Sequence, residues 1–183
     1  MHVVIVGGGF GGLKAALELE GTPGITVTLI SERDHFVYYP ALYSVATGGT
    51  QRKSIVPLST VLEGRKITLV HDTIIGYDPI RKCISSATRE YHYDRVVFAM
   101  GVVTSYFGLR GLDRYSYGIK SYDEVKRFRN HLHDELVHSA HLDKQYVVVG
   151  AGPTGVELAS SLSSYLEHIT DAHRIKHSRI RIK

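Results

Sequence analysis

Val3-Val4-Ile5-Val6-Gly7-Gly8-Gly9-Phe10-Gly11-Gly12 is the stretch from which the fold of this chain is predicted. Its four consecutive β-branched residues indicate a buried strand of a parallel sheet. The glycines at 7, 9 and 12 then have the spacing G-x-G-x-x-G, and the apolar run 13–19 begins a helix. Gly7 permits a tight turn, Gly9 lets the backbone approach a pyrophosphate, and Gly12 lets the helix pack closely on the strand. The N–H groups at the helix start then face the phosphates.

The surroundings of this glycine turn strengthen the prediction. A second strand is expected at 25–31, and Glu32 follows it, twenty residues beyond Gly12. An acid at this distance is placed to bond the ribose hydroxyls of an adenosine. The alternative is a Gly-rich turn of any α/β protein, but strand, turn, helix and acid together predict a nucleotide-binding site.

The opening motif occurs a second time. A buried strand is expected at 146–149, the turn 150–155 is a second G-x-G-x-x-G, and 156–162 begins its helix. Pro153 suits a first helical position, where no N–H is needed. Two dinucleotide sites are therefore predicted. Residues 178–183 alternate like the start of a next strand, so we interpret the sequence as a fragment whose second Rossmann unit is incomplete.

Composition and charge exclude several function classes. The chain has 183 residues, 43% of them hydrophobic, and a net charge of +4. This mildly basic charge is compatible with anionic cofactors, but it lacks the clustered basic stripe of a nucleic-acid binder. No apolar run approaches the length of a membrane span. Met1 is followed almost at once by the first strand, which leaves no room for a signal peptide, so a cytoplasmic location is expected.

Cysteine and histidine usage bears on redox and metal chemistry. Cys83 is the only cysteine, so these residues hold neither a disulfide nor a C-x-x-C pair. We expect Cys83 to be a small packed side chain rather than a reactive thiol. Asp134, His138 and His141 could share a helix face as metal ligands, but the sequence offers no further ligand cluster. A solvated helix face is the preferred interpretation, and no metal site is predicted.

The remaining elements are predicted from periodicity and turn residues. A strand is expected over 66–79, a hairpin over 82–93 and a buried strand over 95–101. A helix is expected over 122–141, with Ser121 as its N-cap and Val125, Phe128, Leu132 and Leu136 as its apolar stripe. The aromatic segment 33–49 either covers the sheet edge or lines a planar ligand.

Several motifs carry a family resemblance. The turn Gly9–Gly12, Phe36, and the run Pro-Ala-Leu-Tyr-Ser-Val-Ala-Thr-Gly at 40–48 are similar to type II NADH dehydrogenase, the single-subunit NADH:quinone oxidoreductase. The same holds for 93–101, 106–108, 119–121 and Gly-Pro-Thr-Gly-Val-Glu-Leu-Ala at 152–159. The resemblance spans nearly the whole chain.

This resemblance implies the architecture of a two-dinucleotide-binding-domain flavoprotein. The expected fold is α/β: a Rossmann-like FAD-binding domain with an inserted, incomplete second Rossmann-like NAD(P)H-binding domain. The FAD domain is expected at 1–115, including the antiparallel hairpin at 82–93, and the start of the second domain at 116–183. In the family, a later C-terminal part returns to the FAD domain, forms the quinone site and anchors the enzyme at the membrane surface.

The resemblance also assigns site residues. FAD contacts are expected from Gly7, Gly9, Phe10, Gly11, Gly12, Glu32, Arg33, Pro40, Thr47, Ile75, Ala99 and Gly101. NADH or NADPH contacts are expected from Gly150, Gly152, Pro153, Thr154 and Gly155. Glu157 is the catalytic candidate, near nicotinamide and flavin, although Thr154-x-x-Glu157 also fits a capping box.

Two positions depart from the family pattern. Met100 replaces a common Thr, and Ser31 stands where many members have the acid. Glu32 then takes that role one residue later. Since a one-residue shift reverses the face of a strand side chain, the ribose contact requires a turn at this point.

The implied reaction passes hydride from NADH to FAD and electrons from FAD to a quinone. By the resemblance alone, we expect peripheral association with the inner face of the cell membrane and a possible homodimer. A reductase with a ferredoxin or rubredoxin partner stays open, as does a non-catalytic nucleotide-binding fragment. The missing second cysteine disfavours a disulfide reductase and a sulfide:quinone reductase.

Overall fold

The computed structural model describes residues 1–138, 143–175 and 180–183. Its strands are β1 (His2–Val6), β2 (Thr26–Ser31), β3 (His35–Val37), β4 (Ile55–Pro57), β5 (Ile67–His71), β6 (Gly76–Asp78), β7 (Cys83–Ser85), β8 (Glu90–His92), β9 (Arg95–Phe98), β10 (Lys144–Tyr146) and β11 (Ile180–Ile182). Its α-helices are α1 (Phe10–Leu19), α2 (Leu42–Ala46), α3 (Leu58–Val61), α4 (Leu112–Tyr115), α5 (Tyr122–His138) and α6 (Pro153–Ala172). Short 3₁₀ turns occur at Tyr39–Ala41 and Gln51–Lys53.

The chain divides into two compact units. The first unit comprises 1–37 and 55–102, and the second comprises 38–54 and 103–183. This division follows the packing of the chain. The expected division into 1–115 and 116–183 instead follows the two cofactor domains, and it stays a prediction.

A four-stranded parallel sheet organises the first unit. Its strand order is β5-β2-β1-β9. Both faces of β1 are buried, as its run of β-branched residues predicts. Val3 and Ile5 pack with Leu13 of α1 on one face, while Val4 and Val6 pack with Ile84 and Tyr93 on the other. The predicted α/β fold with a parallel sheet is confirmed.

The strand order fixes where a ligand would bind in the first unit. The chain runs outward from β1 to β2 and β5, then returns to the opposite side of β1 as β9. In open parallel sheets, ligands bind outside the carboxyl ends of the strands at the point where this order reverses. Gly7 follows the carboxyl end of β1 and Ala99 follows that of β9. The first glycine turn therefore lies at the expected ligand crevice.

Besides the two-stranded pair of β3 and β4, the first unit has a three-stranded sheet, which contains the predicted hairpin. Strands β7 and β8 pair antiparallel, and β6 pairs with β7 on the other side. The single strand expected over 66–79 is wrong, because β5 and β6 belong to different sheets. Strand β5 ends at His71: the N–H of Asp72 makes the last bond of the ladder, to Ser31 O (3.1 Å). The carboxylate of Asp72 accepts from the N–H of Thr73 (2.8 Å) and the hydroxyl of Tyr91. Cys83 is buried in β7, as expected.

Helices α5 and α6 form the core of the second unit. Leu132 and Leu136 of α5 pack against Leu162, Leu166 and Ile169 of α6. The apolar stripe predicted for α5 is confirmed, since Val125 is also buried and Phe128 lies at the edge of the cluster. The helix is described to His138, and the end predicted at residue 141 lies outside the described residues.

The first turn of α5 is closed by a reciprocal cap. Glu124 N–H donates to Ser121 Oγ (3.2 Å), and Ser121 N–H donates to Glu124 Oε2 (2.9 Å). This is a capping box, in which two otherwise unpaired backbone donors are satisfied by side chains. Ser121 is the N-cap that the sequence predicts, and Glu124 is its partner.

The second unit also begins a second βαβ arrangement. Strands β10 and β11 pair in parallel, with α6 between them in the chain. The strand expected at 146–149 is instead Lys144–Tyr146, although Val148 N–H still donates to Lys183 O (2.7 Å). The strand expected from residue 178 is described from Ile180, and 178 and 179 lie outside the described residues.

Candidate functional site

The first glycine turn is built around Gly7. Its φ of +111° lies in the region that side chains rarely adopt, and a methyl group on Gly7 would stand 2.2 Å from Ala99 O. Gly7 N–H donates to Ile30 O (2.8 Å), which ties the turn to the end of β2. The turn is therefore held between the carboxyl ends of β1, β2 and β9, and only glycine fits at position 7.

The other two glycines of this turn have opposite surroundings. A methyl group on Gly12 would lie 1.8 Å from Gly7 O, so α1 is seated directly on the turn. A methyl group on Gly9 would meet no atom within 4 Å. Gly9 is the N-cap of α1, and no side chain caps this helix end. The turn thus leaves open space beside a helix start whose first N–H groups have no acceptor within the helix.

The second glycine turn repeats this backbone. Gly150 has a φ of +114°, and a methyl group on Gly155 would lie 2.0 Å from Gly150 O. A methyl group on Gly152 would meet no atom within 4 Å. Gly152 is the N-cap of α6, and Pro153 is in its first turn. Each turn therefore has a first glycine at positive φ, an open second glycine and a third glycine packed on the first. The turns differ in that a methyl group on Gly150, unlike one on Gly7, would meet no atom within 4 Å.

The residues after β2 form the turn that the Glu32 prediction requires. Ser31 is buried, and its Oγ donates to Arg33 O (2.7 Å) and accepts from Arg33 N–H (3.3 Å). His71 Nε2 donates to Glu32 O (2.8 Å). This turn leaves the side chains of Glu32 and Arg33 exposed beyond the end of the strand. A shift of the acid by one residue is therefore compatible with a ribose contact.

Three other predicted FAD residues lie in the first unit. Phe10 packs edge-to-face on Phe36, with ring centroids 4.8 Å apart. Ile75 is 70% exposed, but its N–H donates to Ser85 O (2.8 Å), so an adenine contact would fall to its carbonyl. Gly101 has a φ of +80° and open space on its Cβ side.

Ala99 packs directly on the first glycine turn. Its Cβ would lie 3.7 Å and 3.5 Å from methyl groups placed on Gly11 and Gly12. A side chain larger than alanine at this position would press against the start of α1. The small residue after β9 thus belongs to the same site as the glycines.

Pro40 and Thr47 lie in the second unit. Pro40 is an exposed residue of the 3₁₀ turn Tyr39–Ala41. Thr47 ends α2, and its hydroxyl donates to Tyr43 O (3.0 Å). Their contact with the flavin stays a prediction.

The structure decides the alternative reading of Glu157. Helix α6 begins at Pro153 with Gly152 as N-cap, and no side chain caps this end. The capping box Thr154-x-x-Glu157 is therefore not formed. Glu157 is exposed in the second turn of α6, and Thr154 is exposed in the first. The carboxylate of Glu157 is left for another partner.

Other described features concern metals and membranes. In the described ranges, no group of three or more His, Cys, Asp or Glu side chains is placed to hold a metal ion. None of the described helices combines the length and apolarity needed to cross a bilayer. The sequence prediction required a turn after β2 but did not identify Ser31 Oγ as the group that closes it, although a Ser before two polar residues could have indicated this. It also did not indicate a groove beside Tyr165.

The sequence is similar to a known protein family and to known enzymes over nearly its whole length. A family model described as pyridine nucleotide-disulphide oxidoreductase matches residues 1–179. The type II NADH:quinone oxidoreductase Ndh of Mycobacterium tuberculosis is 32% identical over 181 residues, which is 91% of this chain and 39% of that protein. The demethylphylloquinone reductase NdbB of Synechocystis is 30% identical over 177 residues, 90% of this chain and 43% of that protein.

A solved structure shows the same fold. NDH2 from Plasmodium falciparum, in complex with NADH, superposes with a TM-score of 0.83 at 22% identity. It covers 99% of this chain, which corresponds to 41% of that protein. The chain thus spans about two fifths of the length of the relatives it matches.

Proposed function

Because the chain belongs to the pyridine nucleotide-disulphide oxidoreductase family, we propose that it is the N-terminal part of a FAD-dependent NADH:quinone oxidoreductase. The observation that carries the proposal is the pair of glycine turns with one shared backbone geometry. One turn serves the flavin dinucleotide and the other serves the nicotinamide dinucleotide. Names of the relatives, an NADH:quinone oxidoreductase and a demethylphylloquinone reductase, support quinone as the acceptor.

The first turn suits FAD. Gly9 leaves open the space that a pyrophosphate needs beside the backbone, while Gly7 and Gly12 close the turn behind it. The N-terminus of α1 provides N–H donors and a favourable dipole for the phosphate charge. Glu32 is exposed beyond β2, where its carboxylate would accept hydrogen bonds from the ribose hydroxyls. Gly11 and Ala99 complete the small-residue surface of this site.

The second turn suits the diphosphate of NADH or NADPH. Gly152 has the same open side as Gly9, and Gly150 and Gly155 have the same close contact as Gly7 and Gly12. Pro153 fixes the backbone of the first helical turn without removing an intrahelical hydrogen bond. Thr154 is exposed beside it and provides a hydroxyl donor for a phosphate oxygen.

FAD, when bound, accepts hydride from NADH and passes electrons to a quinone. The chain's own residues bind the two dinucleotides and orient them relative to each other. Glu157 is proposed to hold the nicotinamide end, since its carboxylate is exposed and does not cap its own helix. Cys83 is buried and is the only cysteine of these residues, so the proposed reaction uses no thiol of this chain.

Further parts of the proposal extend to the longer protein. The FAD-binding domain is assigned to 1–115 and the start of the NAD(P)H-binding domain to 116–183. Contacts of Phe10, Arg33, Pro40, Thr47, Ile75 and Gly101 with FAD belong to the same proposal. The quinone site is assigned to residues beyond these. Peripheral association with the inner face of the cell membrane and a homodimer are proposed from the resemblance.

The visible absorption spectrum of the purified 183-residue chain, loaded with FAD, tests the proposal. Spectra are recorded without oxygen, before and after addition of NADH. A bound flavin spectrum that NADH bleaches is the expected result, since both turns are fully formed. A quinone added afterwards to the longer protein restores the oxidised spectrum.

Two outcomes would contradict this proposal. A folded chain that stays colourless after loading removes FAD binding from the first turn. A bound flavin that NADH leaves oxidised removes the nicotinamide function from the second turn. NADPH and a protein acceptor such as rubredoxin serve as comparison substrates in the same assay.

A further inference from the structure

A polar groove lies on the surface of the second unit, and its lining includes none of the glycines of the second turn. It has a volume of about 720 Å³ and is lined by α5, α6 and the end of α2. This volume falls within the range of small-molecule sites, which is roughly 300–1,000 Å³. The nucleotide proposal does not use it, apart from Thr47 at its margin.

The lining of the groove contains one arginine, three histidines and three serine hydroxyls. Arg129 and His133 come from α5, and His168 and His173 come from α6. Three serines of α6, at 160, 161 and 164, add hydroxyl groups. Among the described residues that line the groove, none is Asp or Glu. Nothing in this lining compensates the positive charge of Arg129.

Among the described residues, Arg129 is left without an ion-pair partner, whereas His133 has neighbouring groups. Arg129 has no carboxylate within ion-pair distance in the ranges that the structure describes. His133 and His173 meet edge-to-face, with ring centroids 5.2 Å apart. The exposed carboxylate of Asp134 lies 3.7 Å from His133 Nδ1 but does not line the groove. A guanidinium without an ion-pair partner is available for a ligand.

Tyr165 forms one wall of the groove. Its ring packs on Gly48, where a methyl group would stand 2.8 Å from Tyr165 Cε2. Gly48 also has a φ of +89°, so this contact requires glycine. The ring is partly buried, and it offers a flat apolar surface near Arg129. The groove thus combines a cationic end with an apolar wall.

We infer that this groove binds a small molecule carrying a phosphate or sulfate group, with Arg129 as the residue that recognises the anion. Arginine binds tetrahedral oxyanions with two parallel hydrogen bonds, and serine hydroxyls add further donors. The wall of Tyr165 and Ile169 receives the uncharged part of the ligand. This site is additional to the two dinucleotide turns, and its existence does not depend on them.

The first test uses inorganic sulfate as the probe. Sulfate is titrated into the ¹⁵N-labelled 183-residue chain in the presence of saturating FAD and NAD⁺, which do not react with each other, and backbone amide shifts are followed. Saturable shifts concentrated at 129–133 and 160–173 are the expected result. Shifts confined to 7–12 and 150–155 would place the anion in the dinucleotide turns and overturn the inference.

Substitutions of arginine separate a site from general charge attraction. Arg129→Gln is expected to weaken sulfate binding by about tenfold, the usual effect of losing a hydrogen bond to a charged group. Arg129→Lys retains the charge and retains part of the affinity. Arg127→Gln, on the same helix but outside the groove, removes an equal charge and leaves the affinity unchanged. Equal weakening by Arg129→Gln and Arg127→Gln would overturn the inference.

Two further arms identify the source of the anionic group. Glucose 6-phosphate tests a soluble organic phosphate, and vesicles of phosphatidylglycerol in phosphatidylcholine test a lipid headgroup. Competition of glucose 6-phosphate with sulfate, lost in Arg129→Gln, supports the soluble ligand that we infer. Sedimentation with the vesicles that depends on Arg129, without competition by glucose 6-phosphate, would overturn the soluble assignment and assign the groove to lipid.

Discussion

The carbonyl oxygen of Gly7 lies so close to the α-carbon of Gly12 that a methyl group on Gly12 would stand 1.8 Å from it. Gly150 and Gly155 have the same relationship, with a corresponding distance of 2.0 Å. In each turn, the third glycine therefore serves the packing of helix on strand, and the second glycine faces the open space that we propose for the ligand. Substitutions at these two positions should have different consequences.

Gly12→Ala is predicted to destabilise the first unit, and Gly9→Ala is predicted to spare it. The methyl group at 12 collides with backbone that cannot move aside, and overpacking of this kind costs about 2–3 kcal/mol. The methyl group at 9 meets nothing within 4 Å, but it enters the space proposed for the pyrophosphate. Urea unfolding and the flavin content of each purified variant measure the two effects.

Gly9→Ala should therefore lose flavin, while its apoprotein loses much less stability than Gly12→Ala and only the small amount expected for alanine at an N-cap. Gly21→Ala is unsuitable as a control because its φ of +76° adds strain. Lys14→Ala, an exposed change on α1, is the suitable control and should retain flavin. A Gly9→Ala variant with normal flavin content would remove the first turn from the FAD site.

Gly152→Ala is predicted to impair the binding of NADH and to leave the binding of FAD intact. Its methyl group has open space in the protein, as at Gly9, but lies at the turn proposed for NADH. The variant should keep its flavin spectrum and lose bleaching by NADH at ordinary NADH concentrations. Anaerobic titration with NADH measures this loss. Unchanged bleaching would show that the second turn does not bind the nicotinamide dinucleotide.

The parallel sheet, its flanking helix and the hairpin follow from local patterns. Four β-branched residues at 3–6 favour a strand, and a strand buries all of them only in a sheet that is covered on both faces. The break at Asp72 could not be predicted in the same way. Beyond the last ladder bond, the carboxylate of Asp72 accepts from the hydroxyl of Tyr91, a residue that is distant in sequence.

The glycine turns could be predicted, but the surroundings of the site depended on tertiary packing. The spacing of Gly7, Gly9 and Gly12 is enough to predict the turn itself. The engagement of the Ile75 N–H with Ser85 follows from the pairing of separate strands. The groove beside Arg129 combines three helices, and no spacing within one helix indicates it.

Ser121→Ala is predicted to destabilise the chain by about 1 kcal/mol, the usual effect of losing an N-cap side chain. Ser121 Oγ accepts from Glu124 N–H (3.2 Å), and Glu124 Oε2 accepts from Ser121 N–H (2.9 Å). Urea unfolding followed by far-UV circular dichroism measures the effect. Ser163→Ala, an exposed change within α6, should have little effect. Equal stability of both variants would show that the box contributes nothing.

Glu135 is predicted to make stability depend on acid pH. Burial alone would raise the pKa of Glu135, but hydrogen bonds from Lys144 Nζ (2.9 Å) and the Tyr146 hydroxyl (3.0 Å) outweigh it and lower the pKa from 4.5. Because the folded-state pKa is the lower one, this stabilisation is fully present above about pH 4.5 and is lost as the pH falls through the folded pKa. Glu135→Gln should flatten the acid limb of stability against pH, measured by urea unfolding. If Glu167→Gln keeps the dependence of stability on acid pH and Glu135→Gln flattens it, that dependence is assigned to Glu135. An unchanged dependence in Glu135→Gln would contradict the prediction.

Tyr146 is predicted to make stability depend on alkaline pH. Burial, and then the hydrogen bond to Glu135, raise the pKa of Tyr146 above its ordinary value of 10.0. The folded state therefore favours the protonated phenol, so its contribution is complete below pH 10 and is lost as the pH rises further. Tyr146→Phe should remove this part of the alkaline loss. Tyr115→Phe, on an exposed ring, should leave the alkaline limb as it is.

Glu157→Gln is predicted to slow the bleaching of bound flavin by NADH without changing stability. The side chain is exposed and does not cap α6, so its charge can be removed without loss of a structural contact at the helix end. If the carboxylate positions the nicotinamide, its loss should lower the reduction rate by about tenfold or more, as misplacement of a reacting group does. Stopped-flow absorbance at saturating NADH separates this rate from NADH affinity. Glu167→Gln, an exposed change on the same helix, removes an equal charge and should leave the rate unchanged. A rate lowered equally in both variants would assign the effect to the overall charge of α6, and an unchanged rate in Glu157→Gln would remove this residue from the reaction.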